Sequence, residues 1–475
     1  MDAASFRAAF LINFASSAGA SGVNFVVAIL LARLLSPHEM GLFAMASVVA
    51  SIGQVFRDLG VSAYLQREAE LSSDKIRAAF GLLCCSSLVV ATLLFALGFF
   101  LGEAGPVLQV LALGSLVLPF STVMAALQHR ELAAVRIAYV SRVGTLAYSL
   151  SSVVLARSGY GVMSLAWAQV IMMLACGLAY VPLRPASWCW RPALGPWRGM
   201  LRFGLGSLAG SAVNALNNAL PQTLLGRLSS PADVGLLDRA SGSANLFNRL
   251  TGDAINFGLL STLARAYHGR AALSEPVNHV TALLTGMAWP ALIVITLLGH
   301  EITTLLFGPR WLDSVPAIAP LAGLAALTAL FNFQAAALTA SGRPGLAALP
   351  VLVASVTRVL LVALCFEAGV ASFASLLLLA GLLTVPVQLH LHHRYLRGGL
   401  IALAQSQLRS ALIALACGVA VVAVKRTAAP QLPLSWLLIG ATAAAFVAWY
   451  ATVRLSGHPW AAELQWARLR ITIKK

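Results

Sequence analysis

Charge is scarce in this chain: Asp, Glu, Lys and Arg make up 10% of 475 residues, and only 16 of them are acidic. A water-soluble surface needs about 25% charged residues, so an assembly of soluble domains is excluded. Long polar loops are missing as well; the longest breaks between apolar runs are about 20 residues. An enzyme of the outer membrane face, such as a polysaccharide polymerase or ligase, usually holds its catalytic groups on a larger loop, so that class is disfavoured. No Walker motif, no paired loop carboxylates and no Ser/His/Asp constellation is present, and nothing calls for a cofactor. Cysteine is rare. Cys84, Cys85, Cys176, Cys189, Cys365 and Cys417 show neither metal spacing nor a disulfide framework and read as small apolar residues. "HLHHR" (390–394) sits at a helix end and reads as a polar terminus rather than a metal site.

Apolar side chains are abundant, at 59%. Runs of about 20 residues recur from end to end, each long enough to cross roughly 30 Å of hydrocarbon as a helix. Fourteen such spans are expected, near 9–33, 40–56, 78–101, 106–127, 137–156, 160–183, 203–226, 233–260, 280–299, 315–340, 345–366, 370–389, 410–424 and 432–453, the thirteenth being the shortest and weakest. The opening "MDAASFRAAFLINF" runs into a full-length span without a small-residue cleavage site, so no removable signal peptide is expected.

Positive residues in short loops stay cytoplasmic. With the N-terminus inside, the cytoplasmic segments hold 22 of the 32 Lys and Arg residues and the outer loops hold 6. Both termini are therefore expected in the cytoplasm. The net charge of +16 reads as topology and attraction to anionic headgroups, not as nucleic-acid binding.

The sequence repeats itself. "LLARLLSPHEMGLF" (30–43) and "LLGRLSSPADVGLL" (224–237) match at eight of fourteen positions with an offset of 194 residues. Each copy closes one span and opens the next, and an even number of spans separates them. They thus cross the membrane in the same direction, as a parallel repeat does. The architecture expected is an all-α integral membrane protein with an N-terminal lobe at 1–183, a cytoplasmic interfacial linker at 184–202, a second six-helix lobe at 203–398, and two further helices with a basic tail at 399–475. The linker's Trp188, Trp190 and Trp197 suit headgroup depth.

Polar residues inside spans are costly and face a partner helix or a wet cavity. Span seven carries Asn214, Asn217, Asn218 and Gln222 on one face; span eight carries Asp238, Asn245, Asn248, Arg249 and Asn256 within a similar arc, with Asp253 at its margin; span one carries Asn24. Amides also glue helices together, but stripes on successive helices favour a hydrated cavity between lobes. Arg142, Arg239, Arg249 and Arg358 lie within spans, against only Asp238 and Asp253. A net positive lining wants an anion, and the planar guanidinium suits phosphate oxygens. Arg249 and Asp253, four residues apart, are alternatively spaced to neutralise each other.

The stretches 29–68, 203–242 and 306–327, from "ILLARLLSPHEMGLF" to "LFGPRWLDSVPAIAPLAGLAAL", resemble the polysaccharide-export branch of the multidrug/oligosaccharidyl-lipid/polysaccharide transporter superfamily. That resemblance implies a V-shaped, alternating-access flippase of the bacterial inner membrane. Its substrate would be an undecaprenyl-pyrophosphate-linked oligosaccharide for exopolysaccharide or O-antigen assembly, moved with H+ or Na+ coupling, and a polymerase or chain-length regulator would be a partner. Arg142, Arg239, Arg249 and Arg358 would hold anionic groups, the amides would line the sugar path, and Asp253 or Asp238 would respond to the ion. A multidrug cation antiporter of the same superfamily is the alternative; it would want a carboxylate-lined pocket.

Overall fold

The computed structural model describes residues 22–244 and 274–464, apart from 69, 132, 185–190, 194, 196, 397–398, 429–431 and 463. The described chain is helical. Helix α1 (Gly22–Leu34) is followed by α2 (Pro37–Asp58), α3 (Val61–Arg67), α4 (Ser73–Gly98), α5 (Gly105–Ser115), α6 (Leu118–Arg130), α7 (Ala134–Arg157), α8 (Met163–Tyr180), α9 (Trp197–Leu228) and α10 (Pro231–Ala244). Beyond residue 273 come α11 (Ser274–Leu297), α12 (Val315–Phe331), α13 (Gln334–Ala340), α14 (Pro344–Cys365), α15 (Val370–Tyr395), α16 (Leu400–Ala428) and α17 (Leu434–Leu455). Among the described residues nine helices are long and apolar enough to cross a bilayer, or ten if the bent pair α5–α6 forms one span. Helices α7 and α9 match that length but are too polar along their course to meet the same standard.

By contacts the chain forms two units, Met1–Asp238 and Arg239–Lys475. In the first, Val61, Leu65, Leu83, Met124, Val140 and Met200 build a buried cluster from five helices, and Ala46, Val107, Leu111 and Ala166 form a second one. In the second unit, Phe333, Ala329, Leu284 and Leu391 form one core, and Ile413, Cys417, Val421 and Ala441 another.

The repeated phrase has one local structure in both copies. Ser36 caps α2 in a capping box with Glu39, whose backbone N–H donates to Ser36 Oγ at 3.3 Å. At the equivalent place the Asp233 N–H donates to Ser230 Oγ at 3.2 Å. Pro at the first helical position and an acid in the first turn fit a helix start. The two glycines that follow serve a close approach, because these two helix starts cross each other. A Cβ on Gly41 would lie 1.6 Å from the Pro231 carbonyl oxygen, and one on Gly235 would lie 2.0 Å from that of Pro37.

Three sequence expectations shift in detail. Span four is broken by 56° between α5 and α6, where Pro119 cannot donate to the Ser115 carbonyl. The linker's last residues, from Trp197, already belong to α9. Span thirteen, expected to be short, is a 29-residue helix, α16. Its polar start is compensated: Thr285 of α11 donates to Gln407 Oε1 at 2.7 Å, and its hydroxyl lies 3.0 Å from Ser410 Oγ. Behind them His458, 1% exposed, takes the Trp460 N–H on Nδ1 at 3.3 Å, which leaves Nε2 as the donor to Ser410 Oγ at 3.1 Å. Pro290 of α11 likewise cannot serve the Gly286 carbonyl, and Trp449 of α17 donates to it instead at 2.9 Å.

Candidate functional site

The amide stripe of span seven lies along α9. Asn214 and Asn218 are exposed, with Asn217 and Gln222 half-buried. Their spacing of three and four residues aligns them on one side of the helix. Pro221, inside α9, lacks an N–H for the carbonyl four residues before it. At its end the Gln222 amide donates to Asp238 Oδ1 of α10 at 3.4 Å. Asp238 is exposed, and Tyr148 of α7 lies within electrostatic range of it. The first unit therefore joins an amide of α9 to a carboxylate of α10. Sequence reasoning did not single out Tyr148; its hydroxyl is easily overlooked in an apolar run that also holds Ser149 and Ser152.

Arg239, one residue on, belongs to different surroundings. It is 8% exposed, with its guanidinium 4.5 Å from the centre of the Phe307 ring and 4.9 Å from that of Trp311. Successive helical residues point about 100° apart (3.6 per turn), so α10 offers Asp238 and Arg239 to different neighbours. Trp311 is fully buried in the turn after Gly308.

Of the remaining candidates, Arg142 stands exposed on α7, Arg358 half-buried on α14, and Asn24 exposed on α1. Asn245, Asn248, Arg249, Asp253 and Asn256 lie outside the described residues. A further cation emerges from the fold: Arg57, at the end of α2, is 6% exposed and donates from Nη1 to Thr122 Oγ1 at 3.1 Å. The sequence suggested a loop residue there; the long stem of Arg lets the last turn of a helix tuck inward.

Relatives are informative about this arrangement. The succinoglycan biosynthesis transport protein ExoT of Rhizobium meliloti is 24% identical over 65% of this chain and 63% of its own length. The lipopolysaccharide biosynthesis protein WzxC of Escherichia coli is 22% identical over 68% of this chain and 67% of its own. The chain thus spans less than two-thirds of the length of the succinoglycan protein. Among solved structures, the lipid II flippase MurJ in an inward closed conformation shares the fold at a TM-score of 0.72, with 10% identity, covering 94% of this chain and 98% of that one. An inward-facing multidrug MATE transporter shares it at 0.58, with 15% identity, covering 82% and 94%. The helical membrane fold is thus that of the superfamily the sequence resembled. Residues 30–316, which hold both copies of the repeat together with α9, Asp238 and the Phe307/Trp311 pair, match a single family model, and the chain belongs to the polysaccharide biosynthesis protein family.

Proposed function

We propose that this protein is a flippase that moves polyprenyl-pyrophosphate-linked oligosaccharides from the inner to the outer leaflet of a bacterial inner membrane, with both termini in the cytoplasm. The amide stripe on α9, ending at the Gln222–Asp238 contact (3.4 Å) beside Tyr148, carries the reading. A sugar head cannot cross hydrocarbon, whereas amides, a carboxylate and a phenol offer its hydroxyls the donors and acceptors that water would. Arg142, Arg249 and Arg358 hold the pyrophosphate, and the polyprenyl tail stays in lipid. The lobes at 1–183 and 203–398, joined by 184–202, alternate access, and the helices at 399–475 are accessory. Asp238, already paired to an amide, responds to H+ or Na+. ExoT and WzxC, named for transport and polysaccharide assembly, support this reading over an enzyme of the pathway, and a polymerase or chain-length regulator is the expected neighbour.

The likeness to a multidrug transporter keeps one rival open, in which Asp238 would receive a cation. Reconstitution separates the two. Purified protein in vesicles with labelled lipid-linked oligosaccharide is expected to expose the sugar on the far leaflet without changing chain length; no translocation, or growth of the chain, overturns the proposal, and protection of cells against cationic dyes would favour the rival. The Arg249→Gln/Arg358→Gln double variant is expected to lose at least tenfold in rate, and transport at the wild-type level rejects the pyrophosphate assignment.

A further inference from the structure

A second polar site lies away from the amide stripe. Gln128, Glu131, Arg136, Pro182, Leu183 and Arg184 line a cleft of about 270 Å³ where α6 ends, α7 begins and the turn after α8 closes. This is just under the roughly 300 Å³ at which small-molecule sites commonly begin. Gln128 is 2% exposed; its amide nitrogen donates to the Leu183 carbonyl at 3.3 Å, and its carbonyl oxygen Oε1 has no donor among the described residues. An acceptor buried without a donor costs about 1–3 kcal/mol, so this wall suits a ligand that brings a hydroxyl. Arg136 Nη1 lies 3.3 Å from Glu131 Oε2. With Arg184 also in the lining, the cleft holds two guanidinium groups and one carboxylate, a formal balance of one positive charge that complements a phosphodiester. Both loops that form the cleft are among the cation-rich ones, and the segment after Arg184 carries Trp188, Trp190 and Trp197, residue types that favour headgroup depth.

We propose that this cleft holds the headgroup of an anionic phospholipid with a free hydroxyl, phosphatidylglycerol being the simplest case. Arg136 and Arg184 take the phosphodiester oxygens, the headgroup hydroxyl donates to Gln128 Oε1, and the acyl chains remain in the bilayer. The site anchors the entrance to the linker between the repeated halves and is independent of the transport reading.

Native mass spectrometry of the full-length protein in detergent, titrated with defined lipids, tests it. The wild type is expected to retain phosphatidylglycerol at least tenfold more tightly than phosphatidylcholine, and more tightly than phosphatidylmethanol, which lacks the hydroxyls. Arg136→Gln/Arg184→Gln is expected to lose the tightest-bound copy, and Arg136→Lys/Arg184→Lys to keep it in part. Glu131→Gln is expected to bind more tightly, a change of opposite sign that misfolding does not mimic. Unchanged retention in the Gln pair overturns the site, equal retention of phosphatidylcholine overturns the charge argument, and equal retention of phosphatidylmethanol overturns the hydroxyl contact. Displacement of the lipid by inorganic phosphate or glycerol 1-phosphate at equal concentration overturns the lipid as the ligand.

Discussion

Asp238 and Arg239 share a helix turn but not a neighbourhood: the carboxylate is exposed beside Gln222, and the guanidinium is buried against two aromatic rings. A cation over a ring is worth about 0.5–1 kcal/mol when exposed and about 2 when desolvated. Arg239→Gln is therefore expected to lower stability by about 2 kcal/mol, and Arg239→Lys to recover part of it, read as thermal midpoints in detergent; equal midpoints for all three proteins would remove the rings from the account. Counting charges along the sequence groups Arg239 with Arg142 and Arg358 as one cationic lining. Phe307 and Trp311, which give it aromatic partners, lie far along the chain, and no periodicity announces their arrival. The amide stripe was legible for the opposite reason: Asn214, Asn217, Asn218 and Gln222 are on one helix, where spacing alone sets the face.

At the scale of elements, the repeat made one local structure readable twice. Ser-Pro, an acid and a glycine in fixed register give the same capped helix start at Ser36 and Ser230, because caps and first turns are local devices. That the two starts cross backbone to backbone was not legible, since glycine in sequence does not say what it faces. Gly41→Ala is expected to cost about 3 kcal/mol, the upper end for overpacking, because a rigid carbonyl 1.6 Å away has nowhere to turn. Gly345→Ala, where nothing lies within 4 Å, serves as the control, and equal thermal midpoints for the two variants would show that the crossing is loose. Span thirteen, read as the shortest and weakest, extends through Gln407 and Ser410, which Thr285 and His458 receive. Burial, reinforced by Arg409 and His279, pushes His458 down to about 4, below an unfolded value of about 6.5. Between those values the unfolded chain holds more protons, so stability is present near neutrality and falls as pH drops from 6.5 toward 4, by up to about 3 kcal/mol. His458→Gln is expected to flatten that fall; midpoints at pH 7 and pH 5 in detergent measure it, and an equal drop in wild type and variant assigns it elsewhere.

At the scale of the whole molecule, the expected alternation of spans can be set against contacts within each unit. Contacts distant in sequence join segments that the alternation of spans places on one side. His38 meets Glu103 at 3.2 Å and Lys425 meets Glu301 at 2.6 Å, among outer segments. Arg77 Nε donates to the Arg191 carbonyl at 3.1 Å and Arg409 to that of Gly457 at 2.9 Å, among inner ones. A miscounted span would have put one member of such a pair across the bilayer, so the alternation is self-consistent within each unit. Which set faces the cytoplasm is a separate matter, and the proposed orientation rests on charge: translocating a loop dense in Arg is unfavourable, and one set holds 22 cations against 6. A green fluorescent protein fused after Lys475 is accordingly expected to fluoresce, and alkaline phosphatase fused there to be inactive. Fusion after Leu432, between α16 and α17, is expected to give the reverse. Active phosphatase at the C-terminus would invert the molecule, and would move the cleft of Arg136 and Arg184 to the outer leaflet while leaving every contact within each unit unchanged.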